Sequence, residues 1–153
     1  MKTKNCILIF TRNLKLGKVK TRLAKTIGDE KALEIYQFLV QKTKEISDQV
    51  QVKKRVYYDQ SIPENDFWNS EDYQKFLQKG TDLVSRMYQA FLQSFQSDFE
   101  KVIIIGSDLY DLTPKIISEA FQELDKNDVV IGPAEDGGYY LLGMKVLHPP
   151  IFK

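Results

Sequence analysis

The sequence predicts an α/β domain built on a mostly parallel β-sheet, because short apolar runs alternate along the chain with helical patterns. Strand-like runs lie at residues 6–10, 55–59, 102–105, 129–131 and 139–142. Apolar residues follow helical spacing over residues 29–50 and 83–95, and Thr113 followed by Pro114 opens a third helix. The last two strands are joined too tightly for a crossover, so we expect an antiparallel element near the C-terminus.

Length and composition are those of a single globular domain spanning residues 1–153. The chain has 42% hydrophobic and 28% charged residues, both ordinary for a soluble protein. A net charge of +1 argues against nucleic-acid binding, because domains that bind nucleic acid are usually strongly basic. Cys6 and His148 are the only residues of their kinds, which excludes an internal disulfide, a cysteine-cluster metal site and a two-histidine zinc site.

No targeting or membrane segment is evident in the sequence. No apolar stretch approaches the ~20 residues that cross a bilayer, and the run at residues 6–10 is shorter than the core of a secretory signal. We therefore expect a cytoplasmic protein without a membrane span. No sequence feature requires an obligate protein partner.

An acidic loop follows the strand-like run at residues 102–105, in the segment IIIGSDLYDLTP. Carboxylates just beyond a strand end stand in the crevice where α/β sheets bind ligands, and Mg²⁺ or Mn²⁺ prefers such oxygen ligands. Asp108 and Asp111 are therefore candidate metal ligands. Either residue can instead cap the next helix, but Thr113 already fills that position, which favours the metal role for Asp108.

A second acidic loop, PAEDGGYY, separates the last two strand-like runs. Gly137 and Gly138 permit positive φ and a close approach of the backbone to a ligand, and Tyr139 can stack on a sugar or base. Asp136 and Glu135 are candidate general bases for an acceptor hydroxyl. The alternative is a simple hairpin turn, since Asp-Gly is a common hairpin signal.

A basic segment, LKLGKVKTRLAK, follows the first strand-like run. Lysine and arginine neutralise phosphate charge, and a short helical start adds free N–H groups that favour an anion. We expect a phosphate-binding loop formed by Gly17, Lys18, Lys20, Thr21 and Arg22. The segment has neither Walker spacing nor the dinucleotide-binding glycine motif. The alternative is a solvated lysine-rich face.

Four segments follow one another as in the DUF2064 family of bacterial proteins: FTRNLKLGKVKTRLAKTIG, KGTDLVSRM, IIIGSDLYDLTP and DVVIGPAEDGGYYLLG. The chain resembles this family over nearly its whole length, and GKVKTRL and GPAEDGGYYLLG are the most specific segments. The resemblance implies a glycosyltransferase-A-type, nucleotide-diphospho-sugar transferase-like fold. Such a fold is a Rossmann-like three-layer α/β/α sandwich that binds a nucleotide sugar.

The same resemblance implies roles for the loops. Asp108 would match the metal-binding aspartate of such transferases, residues 20–22 would lie at the nucleotide end, and residues 135–138 would face the donor sugar or the acceptor. Two departures are visible. Tyr110 stands where the family usually has proline, and relatives generally continue for several tens of residues beyond PPIFK, where this chain ends.

Together these features predict a metal-dependent glycosyltransferase that uses a nucleotide-diphospho-sugar donor, with Mg²⁺ or Mn²⁺ as cofactor. A nucleotidyltransferase acting on a small phosphorylated substrate would use the same fold, metal and basic loop, and pyrophosphate release would distinguish it. A non-catalytic nucleotide-binding module would bind nucleotide without turnover. No residue pattern identifies the base, the sugar or the acceptor.

Overall fold

The computed structural model describes residues 4–15, 17, 19–69, 71–109, 111–134 and 139–152 of the chain. Within these residues the strands are β1 (Asn5–Thr11), β2 (Lys53–Tyr58), β3 (Tyr73–Leu77), β4 (Lys101–Gly106), β5 (Val129–Pro133) and β6 (Tyr139–Met144). The α-helices are α1 (Thr21–Ile27), α2 (Asp29–Asp48), α3 (Leu83–Gln96) and α4 (Pro114–Glu123), and a 3-10 helix covers Pro149–Phe152.

One mixed sheet, with strand order β3-β2-β1-β4-β6-β5, organises the described part of the chain. The strands β1, β2, β3 and β4 run parallel to one another, and β6 is antiparallel to both of its neighbours. The predicted α/β class is therefore confirmed, including the mostly parallel sheet and the antiparallel C-terminal element.

Helices cover both faces of the sheet, which gives a three-layer α/β/α sandwich. On one face, α2 and α4 pack against Ile7 and Ile103 and the other residues of that core cluster. On the opposite face, α3 packs against Leu8 and Ile104. Side chains alternate between the faces because a strand has a two-residue period. Covering both faces explains why β1 is apolar at consecutive positions.

The sole cysteine is a core packing group. Cys6 has no exposed surface and lies in the core beneath α3. Burial raises the pKa of its thiol to about 12, and the positive charge of Arg55 opposes only part of this increase. The thiol is therefore protonated at neutral pH, which makes it a poor nucleophile and a poor metal ligand.

Most predicted elements occupy the expected positions. Thr113 caps α4 as predicted, because its Oγ accepts the N–H of Ile116 at 3.2 Å and Pro114 is the first helical residue. The short helical start at residues 21–22 and the longer helix beginning at residue 29 match α1 and α2, whereas the sequence did not define the extent of α1 or of β3. In the residues that the structure describes, no helix is both long and apolar enough to cross a bilayer.

Gly143 lies in β6 where the sheet leaves no room for a side chain. A Cβ at this position would stand 2.7 Å from Cγ1 of Ile103 and 2.8 Å from Cγ1 of Val130. We expect Gly143→Ala to lower the free energy of unfolding by about 1–3 kcal/mol, because these neighbours must shift. Urea denaturation measures this loss. The control Gln74→Ala, at an exposed position of β3, should change stability by less than about 0.5 kcal/mol. Wild-type stability of Gly143→Ala would contradict the packing.

Candidate functional site

The carboxyl edge of the sheet between β1 and β4 is where the predicted basic and acidic loops meet. The chain runs outward from β1 to β2 and β3, and then places β4 on the other side of β1. Such a reversal of strand order leaves a crevice at the strand ends, and α/β proteins bind ligands there. Phe10 pairs with Gly106, so the basic segment leaves the sheet beside the acidic loop.

Lys20 and Asp108 are in direct contact at this edge. The distance from Lys20 Nζ to Asp108 Oδ2 is 3.0 Å, and the two side chains are 30% and 37% exposed. Because water screens a partly exposed pair, the contact contributes about 1 kcal/mol at most. The structure thus brings one predicted phosphate-binding residue together with one predicted metal ligand.

Two left-handed backbone conformations shape the basic segment. Gly17 has a φ of 78° and Lys20 a φ of 48°, and only glycine adopts this region without strain. Lys20 directly precedes α1, and its carbonyl accepts the N–H of Ala24 at 2.9 Å. Thr21 and Arg22 are the first residues of α1, and both are exposed. Their side chains are therefore accessible to solvent.

The basic segment is anchored to the fold at two points. Val19 is 1% exposed and belongs to the core beneath α2. The backbone N–H of Asn13 donates to Asp59 Oδ1 at 2.9 Å, and its side-chain amide donates to the carbonyl of Ser61 at 2.8 Å. The hydrogen bonds of Asn13 hold the residue just before the segment against the loop that follows β2, and Val19 holds the middle of the segment against the core.

A buried tyrosine of α2 joins the ends of β1 and β4. The hydroxyl of Tyr36 accepts the backbone N–H of Arg12 at 2.8 Å and shares a hydrogen bond with Ser107 Oγ at 2.8 Å. Tyr36 is 3% exposed and Ser107 is 2% exposed. The hydroxyl of Thr43, also on α2, donates to the carbonyl of Ser107 at 2.9 Å. Two α2 side chains therefore hold the residue that precedes Asp108.

A mainly apolar cleft of about 410 Å³ opens beside Asp108 on the α3 side of the sheet. Its volume lies within the range of about 300–1,000 Å³ that is typical of small-molecule sites. Tyr139, a predicted substrate contact, lines the cleft and donates its hydroxyl to Met87 Sδ at 3.8 Å. Phe10 and Leu83 contribute further apolar surface. Apolar walls beside the Lys20–Asp108 ion pair suit a ligand with both an uncharged and a charged part.

The first turn of α3 is fixed by its own cap. Asp82 accepts the backbone N–H of Ser85 at 2.7 Å, and the Ser85 side chain accepts the N–H of Asp82 in return. Gly80 has a φ of 140°, and a Cβ there would lie 2.9 Å from the backbone nitrogen of Arg86. This tight turn presents Leu83, which is 62% exposed, at the cleft.

Asp108 offers one carboxylate that could hold a divalent cation, as the sequence predicts. Its carboxylate already holds a positive group, the ammonium of Lys20. The described residues contain no group of three or more His, Cys, Asp or Glu that could hold a metal ion. Mg²⁺ commonly uses only one or two carboxylates and takes water and substrate phosphates as its other ligands. Asp111, the second predicted ligand, is exposed in the same loop.

Some residues singled out from the sequence lie outside the described residues: Lys18, Tyr110, Glu135, Asp136, Gly137 and Gly138. The phosphate-binding role of Lys18 and the catalytic and substrate-binding roles of residues 135–138 stay predictions. The flanking residues Pro133 and Tyr139 pair with each other across β5 and β6.

The six-stranded mixed sheet, with its polar loops at the carboxyl edge, defines a Rossmann-like α/β protein of the nucleotide-diphospho-sugar transferase-like class. The structure matches that of a protein from Desulfovibrio desulfuricans G20, which is provisionally described as a nucleotide-diphospho-sugar transferase. The TM-score is 0.91 at 30% sequence identity, and the match covers 99% of this chain and 68% of that one.

The sequence also matches the model of a family described as an uncharacterized protein conserved in bacteria (DUF2064), over residues 42–153. The chain belongs to this family, as its sequence resemblance predicted. The search of curated proteins found no match.

Two more distant structures share the fold. A 4-diphosphocytidyl-2C-methyl-D-erythritol synthase from Anaerococcus prevotii DSM 20548 matches with a TM-score of 0.59 at 10% identity, over 93% of this chain and 70% of that one. A cytidylyltransferase from Leptospira borgpetersenii matches with a TM-score of 0.58 at 15% identity, over 94% of this chain and 60% of that one.

Sequence reasoning missed the residues that hold the two loops in place. Tyr36 falls on the apolar face of a helical pattern, where a tyrosine usually indicates packing. A buried tyrosine hydroxyl needs a polar partner, and Ser107 beside the predicted ligand was a candidate for it. Asn13 follows the first strand, and nothing in its neighbourhood indicates a contact with the loop after β2.

Removing the Tyr36 hydroxyl should weaken the link between β1 and β4. The Tyr36→Phe variant removes the hydroxyl that accepts the N–H of Arg12 and bonds to the buried Ser107 Oγ, so we expect a loss of about 1–3 kcal/mol in the free energy of unfolding. Urea denaturation measures the loss. Tyr88→Phe is the matched control, since the ring of Tyr88 packs on Phe152, and we expect a change below about 0.5 kcal/mol. Equal losses in the two variants would refute the special role of the Tyr36 hydroxyl.

Acidification should release the cap of α3. Hydrogen bonds from Ser85 hold the pKa of the Asp82 carboxyl below its ordinary value. Because the folded pKa is the lower one, this stabilisation is present above about pH 4 and is lost as the pH falls through the folded pKa. Asparagine also caps helices but does not titrate. We therefore expect Asp82→Asn to lose less stability than wild type between about pH 5 and pH 2, measured by thermal unfolding. Parallel pH profiles would contradict this assignment.

Proposed function

We propose that this protein transfers a sugar from a nucleotide-diphosphate donor to an acceptor hydroxyl, with Mg²⁺ or Mn²⁺ held at Asp108. The contact between Lys20 and Asp108 carries the proposal, because it joins a basic and an acidic loop beside an apolar cleft. A nucleotide sugar has matching parts, a charged diphosphate and less polar rings. The likeness to the Desulfovibrio protein supports this donor class.

Each part of the donor has a complementary group at the edge of the sheet. Lys20 and Arg22 provide positive charge for the diphosphate, and arginine can bind phosphate oxygens in bidentate fashion. Gly17 allows the turn that brings this segment back towards the strand ends. Tyr139 offers an aromatic face at the cleft, 43% exposed, on which a sugar or base can stack.

The proposed step exchanges one bond at the anomeric carbon for another. The acceptor oxygen bonds to that carbon while the bond between the carbon and the diphosphate oxygen breaks. The bonding electrons leave with the nucleoside diphosphate, and the acceptor proton passes to Asp136 or Glu135. Lys20 and Arg22 stabilise the charge that develops on the departing diphosphate. A divalent cation, when bound, supplies further neutralisation of that charge.

A second candidate is transfer of a nucleotidyl group from a nucleoside triphosphate to a small phosphorylated substrate. Here a substrate phosphate oxygen bonds to the α-phosphorus, and pyrophosphate leaves with the bonding electrons. The fold shared with a 4-diphosphocytidyl-2C-methyl-D-erythritol synthase and a cytidylyltransferase supports this candidate through architecture alone. Both candidates need the same cation and the same basic segment, and they differ in the product released.

A thermal-shift screen tests the proposal. Nucleotide sugars and nucleoside triphosphates are each added with Mn²⁺, with Mg²⁺ and with a chelator. A ligand at about 100 times its dissociation constant adds about 2.7 kcal/mol of stability, or about 5–10 °C for a chain of this size. We expect a cation-dependent shift with at least one nucleotide sugar. The Asp108→Asn variant should lose the cation-dependent part of the shift.

The lysine–aspartate pair at the far side of the molecule supplies a matched control. Lys101 pairs with Asp125, which is 63% exposed, so Asp125→Asn should keep the full cation-dependent shift. An unchanged cation-dependent shift in the melting temperature of Asp108→Asn would show that Asp108 does not bind the cation. Pyrophosphate release from a triphosphate would favour nucleotidyl transfer, and binding without consumption of any donor would identify a non-catalytic module.

A further inference from the structure

We propose that Lys20 is a built-in competitor of the divalent cation at Asp108. In this arrangement the ammonium of Lys20 occupies the carboxylate until a polyanionic ligand draws it away, and the cation then takes its place. The inference rests on the proposed function for the nature of the two ligands. It adds that this chain couples the binding of one ligand to the binding of the other.

The charges at the contact show why the two cations compete. Lys20 Nζ lies 3.0 Å from Asp108 Oδ2. A cation bound to the same carboxylate at about 2.1 Å would bring a total of three positive charges against one negative charge. The described residues contain no further cluster of three acidic or metal-binding side chains to offset this excess. Each cation therefore weakens the binding of the other to this carboxylate.

Lys20 is the partner that can move. Its backbone is fixed, because its carbonyl accepts the N–H of Ala24 at 2.9 Å and so belongs to the first turn of α1. Its side chain is a flexible four-carbon stem, 30% exposed, whose charged end can change partner by rotation about single bonds. The exchange requires no backbone movement.

Asp108, in contrast, is held in place. The residue before it, Ser107, is 2% exposed and hydrogen bonds to Tyr36 through its side chain and to Thr43 through its carbonyl. The backbone that carries the carboxylate therefore stays at the edge of the cleft while its partner changes. A polyanionic ligand in the crevice would offer Lys20 a second anionic partner.

Competition of this kind makes the two ligands cooperative. A polyanion that pairs with Lys20 frees the carboxylate and raises its affinity for the cation. By thermodynamic linkage, the cation raises the affinity for the polyanion by the same factor. A weakly stabilising, partly exposed ion pair corresponds to a factor of about two to five.

Titration with Mn²⁺ alone tests the proposal without a nucleotide. The electron paramagnetic resonance signal of unbound Mn²⁺ gives the dissociation constant. Wild type is compared with Lys20→Met, Asp108→Asn and the double variant. The four proteins form a double-mutant cycle for Mn²⁺ affinity. Lys25→Met is the control for net charge, because Lys25 is exposed on α1, the helix that Lys20 directly precedes. Thermal unfolding verifies that every variant is folded.

We expect Lys20→Met to bind Mn²⁺ about two to five times more tightly than wild type. The gain should disappear in the Asp108→Asn background and should be absent from Lys25→Met. Unchanged or weaker binding by Lys20→Met overturns the proposal, as does the absence of detectable binding in that variant. An equal gain in Lys25→Met, or a gain that persists without the Asp108 carboxylate, also overturns it, since either is a general charge effect.

The two failures are distinguishable. The proposed function fails if no nucleotide sugar or triphosphate shifts the melting temperature in the presence of either cation. The competition fails if the Mn²⁺ affinity of the folded variants does not depend on Lys20 through Asp108. Each outcome is read from its own measurement, and neither measurement uses turnover.

Discussion

The parallel pairing of β1 with β4 is the constraint on which the candidate site depends. Six consecutive pairs, from Asn5 with Lys101 to Phe10 with Gly106, set the register of the two strands. A slip by one residue would exchange the faces of the β4 side chains, because they alternate along the strand. The same apolar contacts that build both cores therefore set the distance between Lys20 and Asp108.

Rigid and exchangeable contacts lie next to each other at this edge. The hydrogen bond between Tyr36 and Ser107 is buried, and a buried polar group that loses its partner lowers the free energy of unfolding. This bond therefore keeps the strand ends in one arrangement. The ion pair of Lys20 with Asp108 is partly open to water and contributes little to stability. A ligand can replace it at small cost while the strands beneath it stay in place.

The fold could be predicted from sequence because its signals are local. A strand covered on both faces is apolar at every position, as residues 6–10 are, and the Thr113-Pro114 pair is a cap signal. Asp108 and Lys20 could be selected as candidates because each follows a strand. Their contact could not be predicted, because it joins distant parts of the chain through the strand register. The direction of the Tyr36 hydroxyl depends equally on how α2 packs.

Because its one cysteine, Cys6, is buried, the folded protein presents no thiol to solvent. Its protonated, inaccessible sulfur should be inert to maleimides and other alkylating reagents while the protein is folded. A single cysteine introduced at an exposed position would then carry a fluorophore or spin label without any prior removal of native thiols. Leu83, exposed at the cleft on a capped helix, offers such a position, from which a label would report ligand entry directly.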